Sequence, residues 1–203
     1  MYFNHPHLRF LFKKGVIFFH FLNPSLHVIK IFNCSIRPSF LFGVRSGVNN
    51  GGIHFINTNT LLYPAGAGVA LVNVINNHQE IVALNSKGSH ITSLTLNPNR
   101  NLIAFTEHGD RPLLVVYDLE QRKKLKLLRC AEFKSKDVVS LAFSHDSKYI
   151  LVQGGHPDYQ LVYFFWEKGK VITTITRVVS QSSGGSVGSV TFHPKVKHFK
   201  IIC

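Results

Sequence analysis

The residues of this 203-residue chain that most invite a chemical reading are its twelve histidines, three cysteines and one dense run of cations. Histidine and cysteine hold zinc when they are paired at short spacings such as CxxC or HxxxH, because one turn then aims two donors at one ion. Neither CxxC nor HxxxH occurs in the sequence. Cys34, Cys130 and Cys203 are odd in number and far apart, which suits a reducing compartment better than a disulfide framework. His5 and His7 sit in a Phe-rich stretch, and the remaining histidines read as isolated surface or core groups. No metal, cofactor or catalytic residue is therefore expected.

Other chemistries fail in the same way. Gly66-Ala67-Gly68 and Gly154-Gly155 lack the GK[ST] and the following helix that make a phosphate loop, and read as strand-to-strand turns. Ser182-Ser183-Gly184-Gly185-Ser186 has no nucleophile-elbow spacing and reads as a flexible connection. Glu107 and Asp110 flank a turn at His108-Gly109, where solvent-facing turn chemistry is the simpler role. The feature left is Arg122-Lys123-Lys124-Leu125-Lys126. On a regular strand Lys124 and Lys126 would project from one face, a candidate contact for an acidic partner, or a charged outermost strand that discourages edge pairing.

The elements that must position such a surface are strands. Ala, Glu and Met are scarce, while Val, Ile, Phe, Thr and Tyr recur in runs of four to seven broken by turn formers such as Asn49-Asn50-Gly51-Gly52 and Asn97-Pro98-Asn99. The runs repeat. Ser93-Leu94-Thr95-Leu96-Asn97-Pro98 matches Ser140-Leu141-Ala142-Phe143-Ser144-His145 and Ser189-Val190-Thr191-Phe192-His193-Pro194, at spacings of 47 and 49 residues. Three further apolar runs follow each of the first two, near 102–105, 113–118 and 124–128, and near 149–152, 161–167 and 171–176. Four strands per unit is the make-up of one propeller blade. Tyr117-Asp118 and Trp166-Glu167 fall where the Trp-Asp dipeptide of such repeats ends the third strand. A poorer blade is expected over 53–84, and the third repeat reaches only its second strand, 199–203. The total is about three and a half blades. A closed ring needs roughly four to eight, so the chain is expected to be the truncated opening of a longer propeller.

Residues 1–40 differ from 41–203 in character: Phe recurs at eight positions without a clean period, and no acid occurs before Glu80. The run from Gly15 to Leu22 follows two lysines, as a signal sequence would, but His20 interrupts it and no small-residue cleavage site follows. It is far short of the ~20 residues that span a bilayer. The formal net charge of +13 is spread along the chain, six cations before Glu80 and 17 against 10 acids from there on. A solvated basic surface explains it more simply than nucleic-acid recognition.

The blades resemble the cilia- and flagella-associated WD-repeat proteins of the axoneme. The resemblance lies in Leu94–Arg100, in Val139–Leu151, in Asn73-Val74 and in Leu161–Lys168 with its Trp-Glu-Lys ending, and covers residues 41–203. Residues 1–40 have no counterpart in it, and His145 stands where such turns usually carry Pro. The resemblance implies a non-catalytic protein-interaction scaffold on doublet microtubules near the inner dynein arms, without cofactor, small-molecule substrate or membrane. The expected architecture is all-β: a Phe-rich extension over 1–40 and a partial WD-repeat β-propeller over 41–203, with Arg122, Lys123, Lys124 and Lys126 as the interaction surface. The alternatives are a general cytoplasmic WD-repeat adaptor and a basic RNA-binding module.

Overall fold

A computed structural model describes residues 4–5, 8–13, 16–21, 31–33, 52–84, 90–130, 133–176, 189–193 and 199–202, with side chains over 52–82, 90–130, 133–176 and 189–193. The chain divides into two compact units, Met1–Pro38 and Ser39–Cys203. In the first, β1 (Asn4–His5), β2 (Leu8–Lys13), β3 (Val16–Phe21) and β4 (Ile31–Asn33) form one antiparallel meander. The apolar run after Lys14 is therefore strand, and among the described residues no helix is long and apolar enough to cross a membrane.

The second unit is a series of antiparallel meanders. Sheet one runs β5 (His54–Asn57), β6 (Thr60–Ala65), β7 (Gly68–Asn73) and β8 (Gln79–Leu84). Sheet two comprises β9 (Ile91–Leu96), β10 (Leu102–Glu107), β11 (Leu113–Asp118) and β12 (Lys123–Arg129). Sheet three follows with β13 (Val138–Phe143), β14 (Tyr149–Gly154), β15 (Leu161–Phe165) and β16 (Lys170–Ile175). A two-stranded sheet, β17 (Ser189–Phe192) and β18 (Phe199–Ile202), comes last. Ser93, Ser140 and Ser189 lie on the first strands of three successive sheets, and those strands are neighbours. The Ser140 hydroxyl accepts a hydrogen bond from the Val190 amide at 3.1 Å.

The reason for the continuous apolar runs is that the middle sheets bury both faces. Along β10 and β11, Ile103, Phe105, Val115 and Tyr117 join Leu62, Val69 and Leu71 of sheet one in a single apolar layer. The alternate residues Ala104, Leu114 and Val116 pack with Leu141, Ile150, Val162 and Phe164 of sheet three. Successive strand residues point to opposite faces, so a sheet clamped between two others must be apolar at consecutive positions. Sheet three meets β17 in a smaller layer of Leu151, Leu161 and Val190. Stacked four-stranded meanders whose first strands adjoin are the blades of a β-propeller.

The turns repeat as faithfully as the strands. After β9 the Arg100 amide donates to the Asn97 carbonyl at 2.9 Å, and after β13 Ser147 donates to Ser144 at the same distance. Arg100 and Ser147 take φ of 59° and 58°. After the third strands, Asn77, Arg122 and Gly169 are left-handed, with φ of 53°, 53° and 67°. Each follows its strand end, Asn73, Asp118 or Phe165, by four residues. Asp118 Oδ1 accepts the Glu120 and Gln121 amides at 2.8 Å, and Asn73 Oδ1 accepts the Ile75 amide at 3.0 Å. These side chains do locally what the next ladder bond would otherwise do.

The register corrects one alignment. Asp118 lies opposite Leu102, and Phe165 opposite Tyr149. Tyr117-Asp118 is thus equivalent to Phe164-Phe165, while Trp166-Glu167 begins the turn and Trp166 replaces Leu119. Both are buried, and Trp166 Nε1 donates to the Ser147 carbonyl at 2.6 Å. The gap between sheets two and three is 47 residues here, without the two extra residues that the Trp-Glu alignment needed. Glu107 also departs from expectation: it ends β10 buried at 8% exposure, and only Asp110 is solvent-facing. The segment 182–186 lies outside the described residues. Cys130 is fully buried in the apolar layer between sheets two and three.

Candidate interaction surface

The cationic run occupies the outer edge of sheet two. Among the described residues β12 pairs with β11 alone. Lys123, Lys124 and Arg129 are exposed and Lys126 is half-buried. They do not form the uniform face that simple alternation predicts. Lys126 sits opposite Val116 and Lys124 opposite Tyr117, with Leu125 unpaired in a β-bulge between them. Cross-strand partners share a face, and Val116 faces sheet three while Tyr117 faces sheet one. The extra residue therefore sends Lys124 and Lys126 to opposite sides, as bulges re-aim side chains. The stem of Lys126 approaches the Gly169 turn of sheet three.

Arg122 lies just before β12 and is held by an ion pair. Its Nη2 lies 2.8 Å from Glu80 Oε2 on β8, an exposed ion pair that joins the outer strands of sheets one and two. Along this rim Lys123, Lys124 and Arg129 stand exposed beside half-buried Lys126, and Leu127 is 59% exposed. A bulged, charged edge resists adding a strand and offers cations to an acidic surface.

A second surface lies along the first strands, where a groove of about 500 Å³ is lined by residues including Leu96, Phe143, Phe192, His145 and His193. His54 also lines it, and its Nε2 donates to the Leu94 carbonyl at 3.4 Å. Burial holds its imidazole below the ordinary value, partly offset by that carbonyl.

Sequence spacing could not foresee one constellation. His90, His108 and Asp137 each offer a ligand atom, all within 4.8 Å of one another. His108 Nδ1 is 2.7 Å from Asp137 Oδ1, and the two imidazoles stack with centroids 4.6 Å apart. The residues stand 18 and 29 apart in sequence, beyond any short motif. Their meeting is a product of blade stacking: His90 and Asp137 precede the first strands of adjacent sheets at the 47-residue period.

The fold and its edge define a β-propeller of WD-repeat type, and the solved structures agree. The chain superposes with a TM-score of 0.56 on a structural genomics protein of unknown function from Bacteroides thetaiotaomicron, at 15% identity over 74% of this chain and 37% of that one. A chain of the mitotic checkpoint complex gives 0.55 at 12% identity, over 80% and 50% respectively. No family model matches the sequence. Among curated proteins, the chain is 33% identical over 138 residues to mouse cilia- and flagella-associated protein 57, which is 66% of this chain and 11% of that protein. It is also 26% identical to mouse cilia- and flagella-associated protein 44 over 82% of the chain, and 27% identical to cilia- and flagella-associated protein 57 C of Tetrahymena thermophila over 69%. The chain is a homologue of these proteins and spans about a tenth of their length.

Proposed function

We propose that this chain is a non-catalytic scaffold segment of the ciliary or flagellar axoneme, which holds protein partners near the inner dynein arms and serves motility. The observation that carries the reading is its homology to several cilia- and flagella-associated proteins, those numbered 57, 44 and 43, from mouse, Tetrahymena and Chlamydomonas. The β12 rim supplies the means. Lys123, Lys124, Lys126 and Arg129 oppose acidic surfaces such as the tails of tubulin, while the bulge prevents the edge from recruiting a stray strand.

The test is co-sedimentation of the chain with salt-washed axonemes, set beside its binding to RNA of matched charge. Saturable axoneme binding is expected, reduced roughly tenfold by Lys123→Glu with Lys124→Glu and falling with salt as screened contacts do. Equal, steeply salt-dependent binding to RNA would identify a polyanion-binding module instead. Recovery from ciliated cells with soluble complexes and never with axonemes would identify a general cytoplasmic adaptor.

A further inference from the structure

We propose that His90, His108 and Asp137 bind a borderline divalent transition-metal ion, with Zn²⁺ the best match, and that the ion ties sheet two to sheet three. This goes beyond the scaffold reading and stands on a different set of residues. Two imidazole nitrogens and one carboxylate oxygen are a donor set suited to zinc and its neighbours, not to calcium or magnesium, which prefer oxygen.

The geometry is close to what an ion needs. Ligands at about 2.0–2.1 Å from a tetrahedral ion lie roughly 3.4 Å from one another. Here Asp137 Oδ1 is 2.7 Å from His108 Nδ1 and 3.9 Å from His90 Nε2. Opening the first distance and closing the second takes only small rotations. The side chains have room for them, with exposures of 36%, 37% and 53% for His108, His90 and Asp137.

The backbone beneath is held fixed. The His108 amide donates to the His90 carbonyl at 3.0 Å, and the Gly155 amide to the Asp137 carbonyl at 2.9 Å. A third bond, from the Gly109 amide to the Lys136 carbonyl at 3.1 Å, crosses from sheet two to the approach of sheet three. The three ligands thus stand on a braced frame, and binding would order little backbone.

Charge is compatible too. The nearby Lys136 ammonium is engaged by Asp110 at 2.9 Å. The donors themselves are two imidazoles and one carboxyl group. Three protein ligands leave a fourth position for water or for a donor from a partner. One blade on, the equivalent of His108 is Gly155, so that position supplies no ligand at the next junction. Among the described residues this is the one such cluster.

The test is Zn²⁺ titration of the metal-free, full chain by competition with a chromophoric chelator, with the thermal unfolding midpoint followed in parallel. One site per chain is expected. His108→Ala should weaken it at least about tenfold, and Asp137→Asn, which keeps a hydrogen-bond acceptor for His108, should do the same. His145→Ala and the His5→Ala/His7→Ala pair should leave it unchanged, and Zn²⁺ should raise the unfolding midpoint of the wild type but not of Asp137→Asn. Circular dichroism of the metal-free variants shows whether they fold; should His108→Ala fail, Asp137→Asn decides alone. Wild-type affinity in Asp137→Asn, or loss of the site in the His5/His7 variant, would overturn the proposal.

Discussion

Sheets two and three are built on one backbone and carry different chemistry. Strand ends, bulges and left-handed turn residues recur 47 residues apart, from Asn97 and Ser144 through Arg122 and Gly169. The side chains hung on that frame diverge. The outer strand of sheet two has Lys123, Lys124, Lys126 and Arg129, whereas β16 reads Lys-Val-Ile-Thr-Thr-Ile. Trp166 fills the place of Leu119, and Asp137 the place of His90. Hydrogen bonds at turns and layered apolar contacts maintain the blade, leaving rims and junctions free to differ. That separation is why one fold serves many partners, and why function must be sought at the rim of a particular blade.

The largest difference should appear at the end of the third strands. Trp166→Ala leaves a cavity between sheets two and three and frees the Ser147 carbonyl, and should cost roughly 3–5 kcal/mol, against roughly 2–3 kcal/mol for Leu119→Ala. Urea unfolding with an unchanged slope would report it. Next come the first turns. Asn97 Oδ1 accepts the Asn101 and Leu102 amides at 3.0 and 2.8 Å, while Nδ2 donates across the blade junction to Ser147 Oγ at 3.1 Å. Ser144 Oγ serves only its own turn, accepting the Tyr149 amide at 2.9 Å and donating to Asp146 at 2.6 Å. Asn97→Ala should therefore cost roughly 2 kcal/mol and Ser144→Ala about 1 kcal/mol, since Asn97 is the more buried and leaves more groups unpaired. Equal costs would mean that the cross-blade bond adds nothing.

Smaller effects separate the second turns. Gly169→Ala puts a side chain on a left-handed residue and should destabilise by about 1 kcal/mol. Arg122→Gly relieves the same conformation in sheet two but forfeits the ion pair, so the thermal midpoint should barely move. Smallest is the Arg122–Glu80 pair itself: both side chains are over two-fifths exposed, and a double-mutant cycle should give roughly 0.2–1 kcal/mol, shrinking as salt is added.

The blades were legible in the sequence because physics writes them locally. A sheet buried on both faces needs runs such as Leu113–Tyr117, and Asn97-Pro98 and Asp118 announce turns by their own hydrogen bonds. Register was less legible. The bulge at Leu125 leaves no local mark, so Lys124 and Lys126 read as one face, and Trp166-Glu167 looked like the end of a strand when it begins a turn. The His90–His108–Asp137 cluster was invisible to spacing rules, because blade stacking assembles it from two repeats. Only comparison of equivalent positions could have shown that His90 and Asp137 approach the same junction.

The claim beneath all of this is that β9 and β13 are equivalent inner strands of adjacent blades, with β12 and β16 as their outermost strands. Amide hydrogen exchange read peptide by peptide tests it most directly. Residues 91–96 and 138–143 should exchange slowest and 123–129 and 170–175 fastest, the gradient repeating across both sheets. Outer strands as protected as inner ones, or one gradient running unbroken from 91 to 175, would contradict it.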